Sequence, residues 1–355
     1  MVLAYLFQRG FKIKKNQSKA YLHNRKNHFV FIQNNFRNYG FKGTPRLSSS
    51  KKRIHIIALI LNLVPSTMQK ILFIGGSGML GKPVALELLR AGFEVSFLAR
   101  DVEKMEKLFP NSPVFKGDVF DIASLETAMK GHEFVYANLS VAQSSKKNDQ
   151  QPEREGVQNI IAAAKSNGVK RIGYLSSLIK NYQGMNGFYW WSFDIKQGAV
   201  NAIKESGLNY SIFYPSVFME TIDKQMMQGN RVLLAGRSEM PMWFISAKDF
   251  GVQVAWAFKK CGDLNQEYTI QGLEPFTFDE AAKVFTENYK GKLKITRAPL
   301  SPFKYMGFLS QRMNYAYNIC DALNRYPEKF ESEKTWADLG KPSITLAQYA
   351  AALKP

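Results

Sequence analysis

Ile74-Gly75-Gly76-Ser77-Gly78-Met79-Leu80-Gly81 decides how this chain is read. A short apolar run, residues 71–74, leads into it, as in a buried parallel strand. A helix pattern over residues 79–91 leads out of it and stops at Gly92. Glycines at 75, 76, 78 and 81 allow a tight turn, a diphosphate pressed close to the backbone, and a helix packed against the strand. The helix N-terminus offers free N–H groups and a positive dipole to an anion. A glycine string alone is a weak signal. Placed after a strand and before a helix, it predicts a dinucleotide cradle formed by Gly75, Gly76, Ser77, Gly78, Met79, Leu80 and Gly81.

Outward from this turn the chain alternates. Strands are expected at 95–98, 114–115, 134–137, 171–175 and 210–214, with helices at 102–108, 122–129, 153–166 and 188–205. Asp101 is placed to cap the helix at 102. The pattern predicts an α/β fold: a doubly wound parallel sheet of Rossmann type with a smaller C-terminal α/β lobe. Beyond Pro215 a strand at 266–270, a helix at 278–288, a strand at 293–295 and a long helix at 303–323 are expected. The organisation read is an extension at 1–67, a dinucleotide-binding domain at 68–218, and a covering lobe at 219–355 that partly returns to the sheet.

The net charge of +19 suggests a polyanion partner until it is located. Residues 1–67 hold 13 Lys/Arg and no acid; residues 68–355 hold 35 Lys/Arg and all 29 acids, a net of +6. The folded domain therefore gives no nucleic-acid signal. The run 56–61 is too short to span a membrane, so no transmembrane segment is expected. The acid-free extension fits a transit peptide, or sequence upstream of a true start at Met68. A cytoplasmic setting is expected, or a mitochondrial one if the extension is a targeting signal.

Cys261 and Cys320 form no metal-type pair and read as small core residues. Three of four histidines fall within 1–67. The fourth, His132, is read as a surface turn residue. Zinc sites and histidine triads are thereby set aside, and no metal is expected.

The position that reads a ribose 2′-hydroxyl in such folds is normally acidic and ends the second strand. Here it holds Leu98-Ala99-Arg100-Asp101. Arg100 suits a 2′-phosphate, which favours NADP(H) over NAD(H). Asp118 and the Val119 N–H, after the third strand, are placed to meet the adenine. Asn138 ends the fourth strand, under the expected nicotinamide ribose.

Together these features resemble the atypical short-chain dehydrogenase/reductase superfamily, and within it the NmrA-like group. The resemblance spans about residues 69–290. It is carried by Gly75-x-x-Gly78-x-x-Gly81, Gly117-Asp118, Glu155-Gly156-x-x-Asn159, Leu175-Ser176-Ser177 and Tyr214-Pro215-Ser216-Val217-Phe218-Met219. It implies a cofactor cleft between the sheet and a variable lobe, with Pro215 on its wall. It also implies a Tyr-x-x-x-Lys pair on the helix after the fifth strand. The matching lysine is Lys196, but Ser192 stands where the tyrosine belongs. Lys196 is the catalytic and ribose-binding candidate; Ser177 and Tyr189 are the nearby hydroxyls.

Tyr182, Met185, Phe188, Tyr189, Trp190, Trp191, Met219, Met226 and Met227 either line a pocket for a small apolar or aromatic substrate or pack the lobe onto the sheet. Two functions fit: an NADPH-dependent reductase of an apolar carbonyl, enone or quinone, or a non-catalytic NADP(H)-binding redox sensor or complex I-type assembly protein with a protein partner.

Overall fold

The computed structural model describes residues 68–354 apart from 261 and 263; the extension at 1–67 and Cys261 lie outside the described residues. In chain order the first half runs β1 (Lys70–Ile74), α1 (Gly81–Arg90), β2 (Glu94–Ala99), α2 (Val102–Leu108), β3 (Val114–Lys116), α3 (Ile122–Met129), β4 (Phe134–Ala137), a π turn (Pro152–Gly156), α4 (Val157–Ser166), β5 (Arg171–Leu175), α5 (Trp191–Glu205) and β6 (Asn209–Pro215). The second half runs β7 (Met227–Gln228), β8 (Arg231–Ala235), β9 (Met242–Trp243), α6 (Ala247–Lys260), β10 (Gln266–Ile270), β11 (Pro275–Phe276), α7 (Phe278–Asn288), β12 (Lys294–Ala298), α8 (Ser301–Met306), α9 (Gln311–Arg325), α10 (Glu333–Leu339) and α11 (Leu346–Ala352).

Seven strands form one parallel sheet in the order β10-β6-β5-β4-β1-β2-β3. The order reverses between β1 and β4, which opens a crevice beyond their carboxyl ends. Period-2 alternation divides β1 between two cores. Ile71 and Phe73 face α1 and α6, whereas Leu72 and Ile74 face α3, α4 and α5. Each such side chain taken from water contributes about 1.5–3 kcal/mol. Gly173 lets α6 settle on the sheet, because a Cβ there would meet the Phe258 ring at 2.5 Å.

β10 reaches the sheet from the far side of α6, and Arg171 secures it. This buried guanidinium donates to the carbonyls of Tyr210, Gly262 and Leu264 and to the Ser211 hydroxyl. The outer edge of β10 is covered rather than left open to pairing. Ser332 Oγ and Thr335 Oγ1 both donate to Thr269 O, at 2.7 and 2.6 Å. At its end, Glu328 accepts from Ser216 Oγ (2.7 Å) and Gln271 Nε2 (2.6 Å).

A third core belongs to the C-terminal lobe, with small sheets β12-β8-β7 and β11-β9. Tyr182, Phe188, Trp190 and Met219 are buried in it, so these members of the aromatic and methionine group pack the lobe. Met185 and Tyr189 stand exposed.

Three expectations need correction. The helix read over 303–323 is two helices, because the chain turns tightly at Gly307. A Cβ there would lie 3.1 Å from the carbonyls of Phe303 and Lys304 and 3.2 Å from Asn314 Cα. The helix expected from 188 begins at Trp191, after a turn in which Gly187 has φ +73°. His132 is not a surface residue. It is buried with its ring edge-on to Phe115, its Nδ1 has no partner among the described residues, and burial first and Lys70 second lower its pKa. Cys320 is half-buried with its thiol pushed up to about 11 by burial, as an unreactive cysteine should be.

Two outcomes test this packing. Arg171→Met strands the buried Tyr210 carbonyl and unties the Gly262 and Leu264 carbonyls of the segment before β10, and should lower the free energy of unfolding in urea by about 2 kcal/mol. Burial pushes the carboxyls of Glu220 and Glu328 up to about 7 from the ordinary 4.5. The folded state therefore binds more protons than the unfolded chain between those values. Their contribution to stability should be full below about pH 4.5 and be lost as the pH rises through about 7. In thermal melts the Glu220→Gln/Glu328→Gln variant should lose most of that decline.

Candidate functional site

The crevice is built on the contact between two strand ends. Gly75 has φ +87°, and a Cβ there would sit 2.0 Å from Asn138 O. Only glycine fits this approach, which sets the turn directly against the end of β4. Gly81, the first residue of α1, is held as tightly: its Cβ would lie 2.3 Å from Gly75 O. Gly76 makes room for the Phe97 ring. Gly78 differs, because a Cβ there would meet only Gly75 O at 3.7 Å. Nothing among the described residues requires glycine at 78. The turn's amides point the same way: among the described residues, no protein acceptor takes the N–H groups of Ser77, Met79 and Leu80. Uncommitted donors at a helix mouth, beside a position kept bare, fit a bound diphosphate. Met79 and Leu80 lie in this turn rather than in α1.

At the β2–β3 rim, Arg100 Nε lies 3.9 Å from Asp118 Oδ2, and the arginine side chain is 82% exposed. A pair this loose and wet is worth little, so the guanidinium is free to engage another anion. Asp118 Oδ1 also accepts from Phe120 N at 3.1 Å. Asp101 caps α2 through Lys104 N, as its position predicted. Val119 is buried; its carbonyl accepts from Asn159 Nδ2 at 3.0 Å, and Gly156 admits its side chain.

On the opposite side of the crevice, Lys196 Nζ pairs with Glu153 Oε1, and the Glu153 carboxylate is fully buried. The same oxygen accepts from Tyr174 OH at 2.6 Å, and Oε2 accepts from Val141 N at 3.1 Å. The α5 lysine, the turn before α4 and the loop after β4 thus meet at one carboxylate. A second lysine, Lys180, has its pKa lowered to about 8 by burial first and by the charge of Lys196 second. Ser176 Oγ is buried without a partner among the described residues at the end of β5, next to the half-buried Ser177. Pro215 is buried, with its carbonyl taken by Leu178 N. Tyr189, 76% exposed, stands away from this network.

The NmrA-like family model matches residues 67–346. The chain belongs to the NmrA-like family. Among relatives of the family chain, an NAD(P)H azoreductase of Xenophilus azovorans is 25% identical over 302 residues, covering 79% of this chain and 97% of its own. A photosystem II assembly factor of Synechocystis sp. is 20% identical over 260 residues, covering 72% and 78%. Among solved structures, an NADPH-dependent quinone oxidoreductase from Escherichia coli, complexed with NADPH, superposes with TM-score 0.61 at 19% identity over 79% of this chain and 98% of its own. A Citrobacter sp. triphenylmethane reductase complexed with NADP(H) gives 0.61 at 18% over 79% and 99%. These likenesses establish the Rossmann fold for this NmrA-like chain.

Two groups of the site escaped the sequence reading. Glu153 lies 43 residues before Lys196, and only the fold joins them. Tyr315 on α9 packs edge-on to Trp190 at 5.0 Å. Its hydroxyl pKa is raised by burial and then by the charge of Glu153, which places a phenol of the lobe near the lysine network.

A double-mutant cycle tests that network. Glu153→Gln leaves a largely buried ammonium without its counter-charge and should cost about 1–3 kcal/mol of stability. Adding Lys196→Met should recover much of the loss, as read from urea unfolding midpoints. Additive losses would mean that the pair does not form.

Proposed function

We propose that this NmrA-like chain binds NADP(H) in the crevice between β1 and β4 and reduces a small apolar or aromatic carbonyl, enone or quinone. Gly78 supports the reading most directly. It is bare where no protein atom needs the space, and it lies among amides with no protein acceptor. In this reading Ser77, Met79 and Leu80 donate to the diphosphate. Arg100 takes the 2′-phosphate, Asp118 and the Val119 N–H bind the adenine, and Asn138 lies beneath the nicotinamide ribose. Lys196 holds that ribose, and Pro215 forms part of the wall. The bound cofactor supplies the hydride.

The chain's own work is to place and protonate the substrate. Lys196 Nζ, anchored by Glu153, carries an exchangeable proton at the edge of the site, and Ser177 offers a hydroxyl at the end of β5. With serine at 192, no phenol stands one turn before the lysine; Tyr174, whose hydroxyl donates to the same Glu153 oxygen at 2.6 Å, and Tyr315 of the lobe are the phenols of this network. The names of the relatives, an azoreductase, a quinone oxidoreductase and a triphenylmethane reductase, support an aromatic substrate.

A second reading has its own support. The amine of Lys196 is committed to Glu153, and one group of relatives comprises assembly factors. This would be a dinucleotide-binding protein that acts through a partner without turnover.

NADPH oxidation against a panel of quinones and enones separates the two. The reductase reading expects turnover that falls by about a hundredfold in Lys196→Ala. It also expects the preference for NADPH over NADH to shrink by about tenfold in Arg100→Ala. Tight dinucleotide binding with no turnover of any substrate would overturn it in favour of the second reading.

A further inference from the structure

The turn between α8 and α9 presents Tyr305, Met306, Phe308 and Leu309 to solvent, at 70%, 51%, 84% and 93% exposure. Isolated exposed apolar residues are ordinary, but four within five positions form a patch that calls for a partner. The turn holds a defined shape. Gly307 N donates to Phe303 O at 2.9 Å, and Leu309 N and Ser310 N both donate to Met306 O at 3.0 Å. The patch is therefore a preformed tip.

The sequence flanking it carries one sign of charge. Residues 288–320 contain six Lys/Arg and no acid, in a domain whose whole excess is +6. All six are exposed. Arg297 pairs with Asp279; Lys290, Lys292, Lys294, Lys304 and Arg312 have no acidic partner among the described residues. Lysine around a projecting aromatic and aliphatic tip disfavours a protein partner, because protein interfaces deplete lysine at their cores. It suits a lipid surface, where lysine stems lie along apolar material while their ammonium groups reach phosphates.

We propose that this tip docks the protein on an anionic lipid bilayer. Phe308 and Leu309 enter the boundary between headgroups and acyl chains, and Tyr305 and Met306 flank them. The unpaired lysines and Arg312 meet the lipid phosphates. α9 begins two residues after Leu309 and carries Tyr315 to Trp190, so the docked end and the candidate site share one helix. The docking does not depend on turnover.

Flotation of the full chain with vesicles tests the proposal, using phosphatidylcholine alone and phosphatidylcholine mixed with phosphatidylglycerol. Binding is expected to the mixed vesicles, weakening as salt is raised and weaker still to the neutral ones. Phe308→Ser/Leu309→Ser should reduce it by about tenfold or more with an unchanged thermal melt, since neither side chain belongs to a core. Lys292→Gln/Lys304→Gln should reduce it by about fivefold per charge and diminish the preference for anionic lipid. Three results would overturn the proposal. One is no binding of the parent chain to either vesicle. Another is equal binding by the Phe308/Leu309 variant, which would move the contact to residues 1–67 or another face. The third is a change from dimer to monomer in that variant by sedimentation, which would make the tip a contact between copies of the chain.

Discussion

The closeness of Gly75 to the end of β4 governs this molecule. A side chain at 75 would occupy the position of Asn138 O, and one at 81 would strike Gly75 O. With both absent, β1, β4 and the mouth of α1 converge within a few ångströms of each other at the reversal in strand order. A helix N-terminus with uncommitted amides then faces the crevice, where the dipole and the free donors act together on an anion. The remaining glycines of the motif divide the labour. Gly76 accommodates Phe97 and serves the core, whereas Gly78 makes room for no other part of the described residues.

Much of this was legible in the sequence because it is local. The strand, glycine turn and helix are contiguous, the Asp101 cap precedes its helix, and alternating elements through β6 follow from apolar periodicity. The parallel sheet and the glycine turn were readable for that reason. Past Pro215 the local signal fades. β7, β9 and β11 have only two residues each, too few for a period to register. The helix α6 is absent from the elements read by periodicity. The break at Gly307 was missed because apolar residues continue through it; they are the exposed tip rather than a buried stripe. His132 looked like a turn residue, and it is one, but β1 and Phe115 enclose it.

The site's second half was illegible for a different reason. Glu153, Tyr174, Lys196 and Tyr315 are separated by tens of residues and lie on four elements. A motif reading sees Lys196 without its usual tyrosine and has no means of finding the carboxylate that holds the amine. The fold supplies that information. The lysine is fixed by a buried acid, a lobe phenol approaches the same charge, and Lys180 lies close enough to feel Lys196. The crevice therefore has a donor-rich side built from backbone and a charged side built from side chains.

Calorimetric titration of the full chain with NADPH tests the central claim most directly, with the Gly78→Val variant alongside. Position 78 has room for a side chain in the protein itself, so the variant keeps its fold while filling the space assigned to the diphosphate. The account predicts saturable binding of one dinucleotide per chain, lost in Gly78→Val with an unchanged thermal melt. Absence of a saturable complex with either NADPH or NADH, or undiminished binding by the valine variant, would contradict it.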